Sequence, residues 1–126
     1  MTTTWTDAEL SAIGGTDELH LSSLRADGTL AKPVTIWVAR VGDDLYVRSV
    51  RGAGAVWFRG SRGTGKGHVS AGGVSADVAF DLVGEASKSE IDAAYQAKYS
   101  GYPASFVNPM LAPPAQETTT RLVPER

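Results

Sequence analysis

The segment Pro33 to Val41, PVTIWVARV, narrows the choice of fold more than any other stretch. Successive side chains of an extended chain point to opposite faces. Val34, Ile36 and Val38 therefore share one face, and Trp37, Ala39 and Val41 share the other. A strand that is apolar on both sides must be covered on both sides. Gly42-Asp43-Asp44 then reads as a hairpin turn that returns the chain into LYVRSV. There Leu45, Val47 and Ser49 lie on one face, with Tyr46 and Arg48 on the other.

The flanking sequence supplies more strands of the same kind. ELHLSSLRADGTL reads as a strand entering a turn at Asp27-Gly28, and ETTTRLVP as a final strand. GHVSA and SADVAFDLV form a hairpin about Gly72-Gly73, with Ala76, Val78, Phe80 and Leu82 inward and Ser75, Asp77 and Asp81 outward. Two capping boxes mark helices. Thr6 and Glu9, with Trp5 and Leu10 as a hydrophobic staple, open one over 7–13 that stops at Gly14-Gly15. Ser87 and Glu90 open another over 88–99, with Ile91, Ala94, Tyr95 and Tyr99 on one stripe. RGAGAVWFRGSRG reads as a break with one helical turn near Ala55 to Phe58, and PASFVNPMLAPP as a loop with a single turn. The tally predicts a mainly β fold, a six-stranded antiparallel split β-barrel with two helices outside, as one domain over 1–126.

Composition removes several function classes. A chain of 126 residues, 42% of them hydrophobic, can build a core without staples. It has no cysteine, which excludes disulfides, thiolate metal sites and a cysteine nucleophile. His20 and His68 are far apart in sequence and lack ligand-spaced carboxylates, so no metal site is expected. MTTTWTDAEL lacks the basic and apolar regions of a secretory signal, and no apolar run approaches the roughly 20 residues of a membrane span. A pI near 5.6 argues against general nucleic-acid binding. The expectation is a cytoplasmic protein that binds neither membrane nor nucleic acid. No GxSxG elbow is present for a serine hydrolase.

Residues 60–67, GSRGTGKG, imitate the start of a phosphate-binding loop. The imitation fails at Gly67, where a Ser or Thr hydroxyl should complete a Mg²⁺ shell. It also lacks a helix to follow it, since GHVSA reads as a strand. The segment is therefore expected to connect two strands and to bind no nucleoside triphosphate. Its charge is informative all the same. Arg48, Arg51, Arg59, Arg62 and Lys66 fall between Tyr46 and Lys66 with no acid among them, the sequence signature of an anion site or of a solvated basic face.

Two constellations remain. Tyr95-Gln-Ala-Lys98 resembles the Tyr-Lys pair of short-chain dehydrogenases, but the lysine stands three residues on instead of four and no dinucleotide fingerprint precedes it. It reads as a buried tyrosine and a solvated lysine on an amphipathic helix. Trp37, Tyr46, Arg48, Ser49, Trp57 and Arg59 bring aromatic faces, guanidinium groups and a hydroxyl together. That set suits a flat anionic ligand, or else a barrel core with arginines at its rim. A ligand would rest against Tyr46, Arg48, Ser49 and Trp57, with Arg51 and Arg59 at the rim. The outward apolar face of Trp37, Ala39 and Val41 also suggests a homodimer.

TIWVARVGDDLYVRSVRGAGAVWFR, AAYQAKYSGY and TTTRLVP together resemble the domain-of-unknown-function family numbered 2255, over nearly the whole chain. That family is in turn similar to the flavin-binding split β-barrels, which include pyridoxamine phosphate oxidases and deazaflavin-dependent nitroreductases. The resemblance implies that Arg48, Ser49, Gly54 and Trp57 lie near a cofactor position, often at a homodimer interface. It implies FMN or a deazaflavin as cofactor and an oxidoreductase acting on a small organic substrate. After Trp57 the chain departs from the nitroreductase pattern, with FRGSRGTGKG where an Asn-Leu and an Asn-x-Pro-like segment are expected. The alternative is a cofactor-free barrel that binds, or transforms without redox, a small anionic or aromatic molecule.

Overall fold

Six strands close into one antiparallel barrel in the computed structural model, which describes residues 4–83 and 88–125. In chain order the elements are α1 (Asp7–Gly14), β1 (Glu18–Ser23), β2 (Val34–Val41) and β3 (Asp44–Val47). A short 3-10 turn, Gly52–Gly54, leads to α2 (Val56–Thr64), β4 (Lys66–Ala71) and β5 (Val74–Leu82). α3 (Lys88–Lys98), α4 (Ala104–Leu111), α5 (Pro113–Gln116) and β6 (Thr120–Pro124) complete the chain. The barrel order is β1-β2-β3-β6-β5-β4, with β1 closing onto β4 through Leu21 opposite Val69. The mainly β expectation of a six-stranded antiparallel barrel is met.

The two faces of β2 are covered in two ways. Val38 turns into the barrel and joins Leu19, Leu21, Leu45, Val47, Val78, Phe80 and Leu122 in its core. Ala39 turns outward and is buried with Ile91 and Tyr95 of α3, with Tyr99 just after it, and with Val107 and Met110 of α4. Burying one such apolar side chain contributes about 2 kcal/mol, so this outer layer is a second core. The helix comes from the same chain, so the apolar outer face of β2 gives no reason of its own for a second copy. At the barrel's other end, Thr6 caps α1 with both halves of its box formed, and Trp5 Nε1 donates to the Leu122 carbonyl at 2.9 Å. The second capping box rests on Ser87, outside the described residues.

Three segments read as irregular are more ordered than expected. α2 runs nine residues instead of one turn, and GSRGTGKG is its second half followed by the first residues of β4. Two of its glycines are there for packing. A Cβ at Gly60 would strike Ser23 of β1, and one at Gly67 would strike the Ser22 carbonyl and the Phe80 ring. Gly65 ends the helix at φ 74°, a left-handed position that glycine takes without strain. The run 104–111, read as part of a loop with a single helical turn, forms α4 despite Pro109, and α5 follows it with Pro113 and Pro114 in its first turn.

Candidate functional site

β3 ends at Val47, and the next two residues are buried polar groups: Arg48 and Ser49 are each 1% exposed. Arg48 Nε donates to Thr119 Oγ1 at 2.9 Å. Its Nη1 donates to Asp92 Oδ1 at 2.5 Å and to the Met110 carbonyl at 3.0 Å. Asp92 Oδ2 accepts from Gln116 Nε2 at 3.0 Å. One guanidinium thus ties the end of β3 to α3, α4 and the residue just before β6, while its Cζ lies 5.4 Å from the Tyr95 ring centroid. A buried ion pair is tolerated when its remaining donors are satisfied. Here they are not all satisfied. Among the described residues Arg48 Nη2 has no hydrogen-bond partner, and neither has Ser49 Oγ, although the Ser49 backbone N–H reaches Thr118 Oγ1 at 2.8 Å.

Both residues line a cavity of about 660 Å³. β2 contributes Val34, Thr35, Ile36 and Trp37, the chain after β3 contributes Val50 and Arg51, and the start of α2 contributes Ala55, Val56 and Trp57. α4 forms the facing wall with Ser105, Phe106, Pro109 and Met110. The walls are mainly apolar, and Val50, Val56 and Phe106 stand exposed at the mouth. α2 has Ala55 as its N-cap and so receives no side-chain cap. The first N–H groups of a helix point out of its end and carry a partial positive charge. Pro109 has no N–H to offer the Ser105 carbonyl one turn back in α4.

Trp37, Arg48, Ser49, Arg51 and Trp57 are brought together as expected from sequence. Tyr46, Gly54 and Arg59 do not line the cavity. Tyr46 packs outward under α3, opposite Arg121 in β6, and burial raises its phenol pKa above 10.0. Arg59 and Arg62 are exposed on α2, and Lys66 lies 3.6 Å from Glu125. The five cations are therefore dispersed, and Arg51 is the exposed one at the cavity. Arg48 is held by Asp92, so it does not present the free fork expected of an anion grip. One face of Trp37 is already stacked on Tyr99, with centroids 3.9 Å apart and planes 3° from parallel.

Sequence reasoning missed Asp92, Thr118 and Thr119. Asp92 lies three residues before Tyr95, on the helix face that Tyr95 buries, and an acid on an apolar stripe is a readable signal. The threonine run before the last strand was the other clue. Lys98 is not solvated as expected. Its Nζ donates to the Val38 carbonyl at 2.6 Å and lies 5.1 Å from the Tyr99 ring, and burial lowers its pKa to about 8. His68 meets Asp77 at 2.9 Å away from the cavity, and His20, itself not in the cavity wall, meets the lining residue Thr35 at 3.1 Å. Among the described residues no group of three or more His, Asp or Glu could hold a metal ion, and no helix is long and apolar enough to cross a membrane.

Residues 9–122 match the family described as uncharacterized proteins conserved in bacteria (DUF2255), and the chain belongs to that family. No curated protein matches it. Among solved structures it is similar to the crystal structure of the conserved hypothetical protein Rv2991 from Mycobacterium tuberculosis, with a TM-score of 0.67. That match covers 100% of this chain and 85% of the other at 11% identity, so the likeness is one of fold.

Proposed function

We propose that this DUF2255 protein binds a flat, mainly apolar small molecule in the cavity between β2, α2 and α4, with an oxygen-bearing end against Arg48 Nη2 and Ser49 Oγ. One observation carries the reading: two buried polar atoms in the cavity wall lack partners among the described residues. Leaving such an atom unsatisfied costs about 1–3 kcal/mol, which folding alone gives no reason to retain. A ligand oxygen relieves that cost. The volume also lies within the roughly 300–1,000 Å³ of small-molecule sites.

The oxidoreductase form of this reading places flavin mononucleotide or a deazaflavin in the cavity. The residues present fit such a group. Ile36, Val34 and Met110 offer apolar wall to a ring, the two orphaned donors suit ring carbonyl oxygens, and Arg51 at the mouth suits a phosphate. The bound flavin would supply hydride chemistry. Its orientation would fall to Arg48 and Ser49, and exclusion of water to the apolar lips at Val50, Val56 and Phe106. The cofactor-free form is favoured by a different observation: with Arg48 compensated by Asp92, Arg51 alone of the lining cations is left to hold a dianion.

Trp37 and Trp57 line the cavity, so their fluorescence reports its occupation. Saturable quenching by flavin mononucleotide or a deazaflavin, together with a flavin spectrum after gel filtration, supports the oxidoreductase form. Quenching by aromatic acids but by neither flavin supports the cofactor-free form. Quenching by none of them overturns the site. A second copy, if one forms, would be placed at the exposed lips of the mouth, and light scattering that finds a monomer removes it.

A further inference from the structure

We infer that the inner end of the cavity accepts a neutral carbonyl or a singly charged carboxylate and discriminates against a phosphate. The inference rests on the binding-site reading above and adds the ligand's charge class to it.

The charge balance of the inner end is set before any ligand arrives. Arg48 is the cation in that wall, and Asp92 sits against it at 2.5 Å, so the pair has no net charge. Three of the guanidinium's five N–H groups are engaged, on Thr119 Oγ1, Asp92 Oδ1 and the Met110 carbonyl. What remains is one nitrogen, Nη2, and the Ser49 hydroxyl. A phosphate has three terminal oxygens and carries close to two charges, and it is best held by a bidentate fork or by several cations. Two donor atoms and a neutral pair meet the needs of one carbonyl or carboxylate group and little more.

Desolvation decides between the classes. Each anion brought out of water costs several kcal/mol, recovered only through opposite charge nearby. Asp92 supplies like charge instead, and its carboxylate is engaged with Arg48 and Gln116 rather than removed from the site. Arg51 has no ion pair among the described residues, but it is exposed at the mouth, where water screens it. A phosphate therefore belongs at the mouth, on Arg51, and an uncharged or singly charged acceptor belongs inside. The uncapped first turn of α2 adds partial positive charge without altering that order.

The test compares three probes on one ring system, naphthamide, naphthoate and naphthyl phosphate, by tryptophan quenching and by calorimetry with the full chain. The expected result is that the amide and the carboxylate bind within a few-fold of each other and the phosphate roughly tenfold more weakly. Asp92→Asn should reverse the order by leaving Arg48 uncompensated, while Arg51→Ala should leave it unchanged. The wild-type order stands as a test even where Asp92→Asn folds poorly. Naphthyl phosphate binding most tightly to the wild-type protein would overturn the charge assignment and leave the cavity reading intact. Failure of all three probes to bind would remove the cavity reading, and this inference with it.

Discussion

Helix α3 covers two buried polar centres that differ in completeness. Around Tyr99 every hydroxyl and amine has a partner. Its phenol accepts from the Val38 N–H at 3.1 Å and lies 2.6 Å from the Asp17 carbonyl. Lys98 donates to the Val38 carbonyl, and the Tyr102 hydroxyl to Asp17 Oδ2 at 2.9 Å. Asp17 and Val38 lie one residue beyond the last β1–β2 pair, Glu18 with Trp37, so the helix closes the ladder where the two strands part. Two turns of helix away, the Arg48 centre leaves Nη2 and Ser49 Oγ unpartnered beside a cavity. The first centre is a structural joint. The second is a joint with vacant donors, which is what distinguishes a binding site from a well-packed core.

The largest effect should come from breaking the compensated pair. Asp92→Ala leaves a fully buried guanidinium without its counter-charge, and chemical denaturation should show a loss of about 3 kcal/mol. A loss below about 0.5 kcal/mol would mean that the pair is solvated and the site open. Next comes the complete centre. Tyr99→Phe removes a hydroxyl that serves two backbone groups and should cost about 1–3 kcal/mol without changing ligand affinity. Tyr95→Phe, whose hydroxyl bonds are longer at 3.3 and 3.5 Å, should cost less. A Tyr99→Phe variant that binds ligand more weakly would join the two centres into one functional unit.

Lys98 gives a smaller effect, visible in pH. Burial brings its ammonium from 10.5 to about 8, against a weaker opposing pull from Asp17. Below pH 8 both folded and unfolded chains hold the proton. Between about 8 and 10.5 the folded chain has released it and the unfolded chain has not, so stability rises with pH across that window. Above pH 10 the phenols of Tyr95 and Tyr99, held up by burial, reverse the trend because the unfolded chain ionises first. The melting temperature should therefore climb from pH 8 towards 10 and then fall, and Lys98→Met should flatten the climb.

The barrel was legible because its signals are local. Alternation in 75–82, the two-sided pattern of 34–41 and the Thr6–Glu9 box each rest on neighbours in sequence. α4 was hidden because Pro109 argues against a helix that tertiary packing of Val107 and Met110 then stabilises. The glycines of 60–67 imitate a phosphate loop, yet Gly60 is needed where α2 approaches Ser23 and Gly67 where β4 passes Ser22 and Phe80, which sequence spacing does not reveal. Half of the site followed the same rule. Arg48, Ser49 and Trp57 are close in sequence and were found together, whereas the pairing of Arg48 with Asp92 spans 44 residues and was not. Without that partner Arg48 looks like a free anion grip. With it, the cavity's inner end is neutral.

Ser49→Ala tests the vacancy most directly, because it removes one unpartnered atom and leaves the Ser49 backbone bond to Thr118 in place. In the ligand-free protein it should raise stability by about 1 kcal/mol, since a buried hydroxyl without a partner no longer has to be desolvated. In the same variant the affinity for naphthoate should fall roughly tenfold, as one charge-assisted hydrogen bond is lost. Lower stability with unchanged affinity would contradict both halves: Ser49 Oγ would then be part of the fold's own bonding, and the Arg48 corner another structural joint.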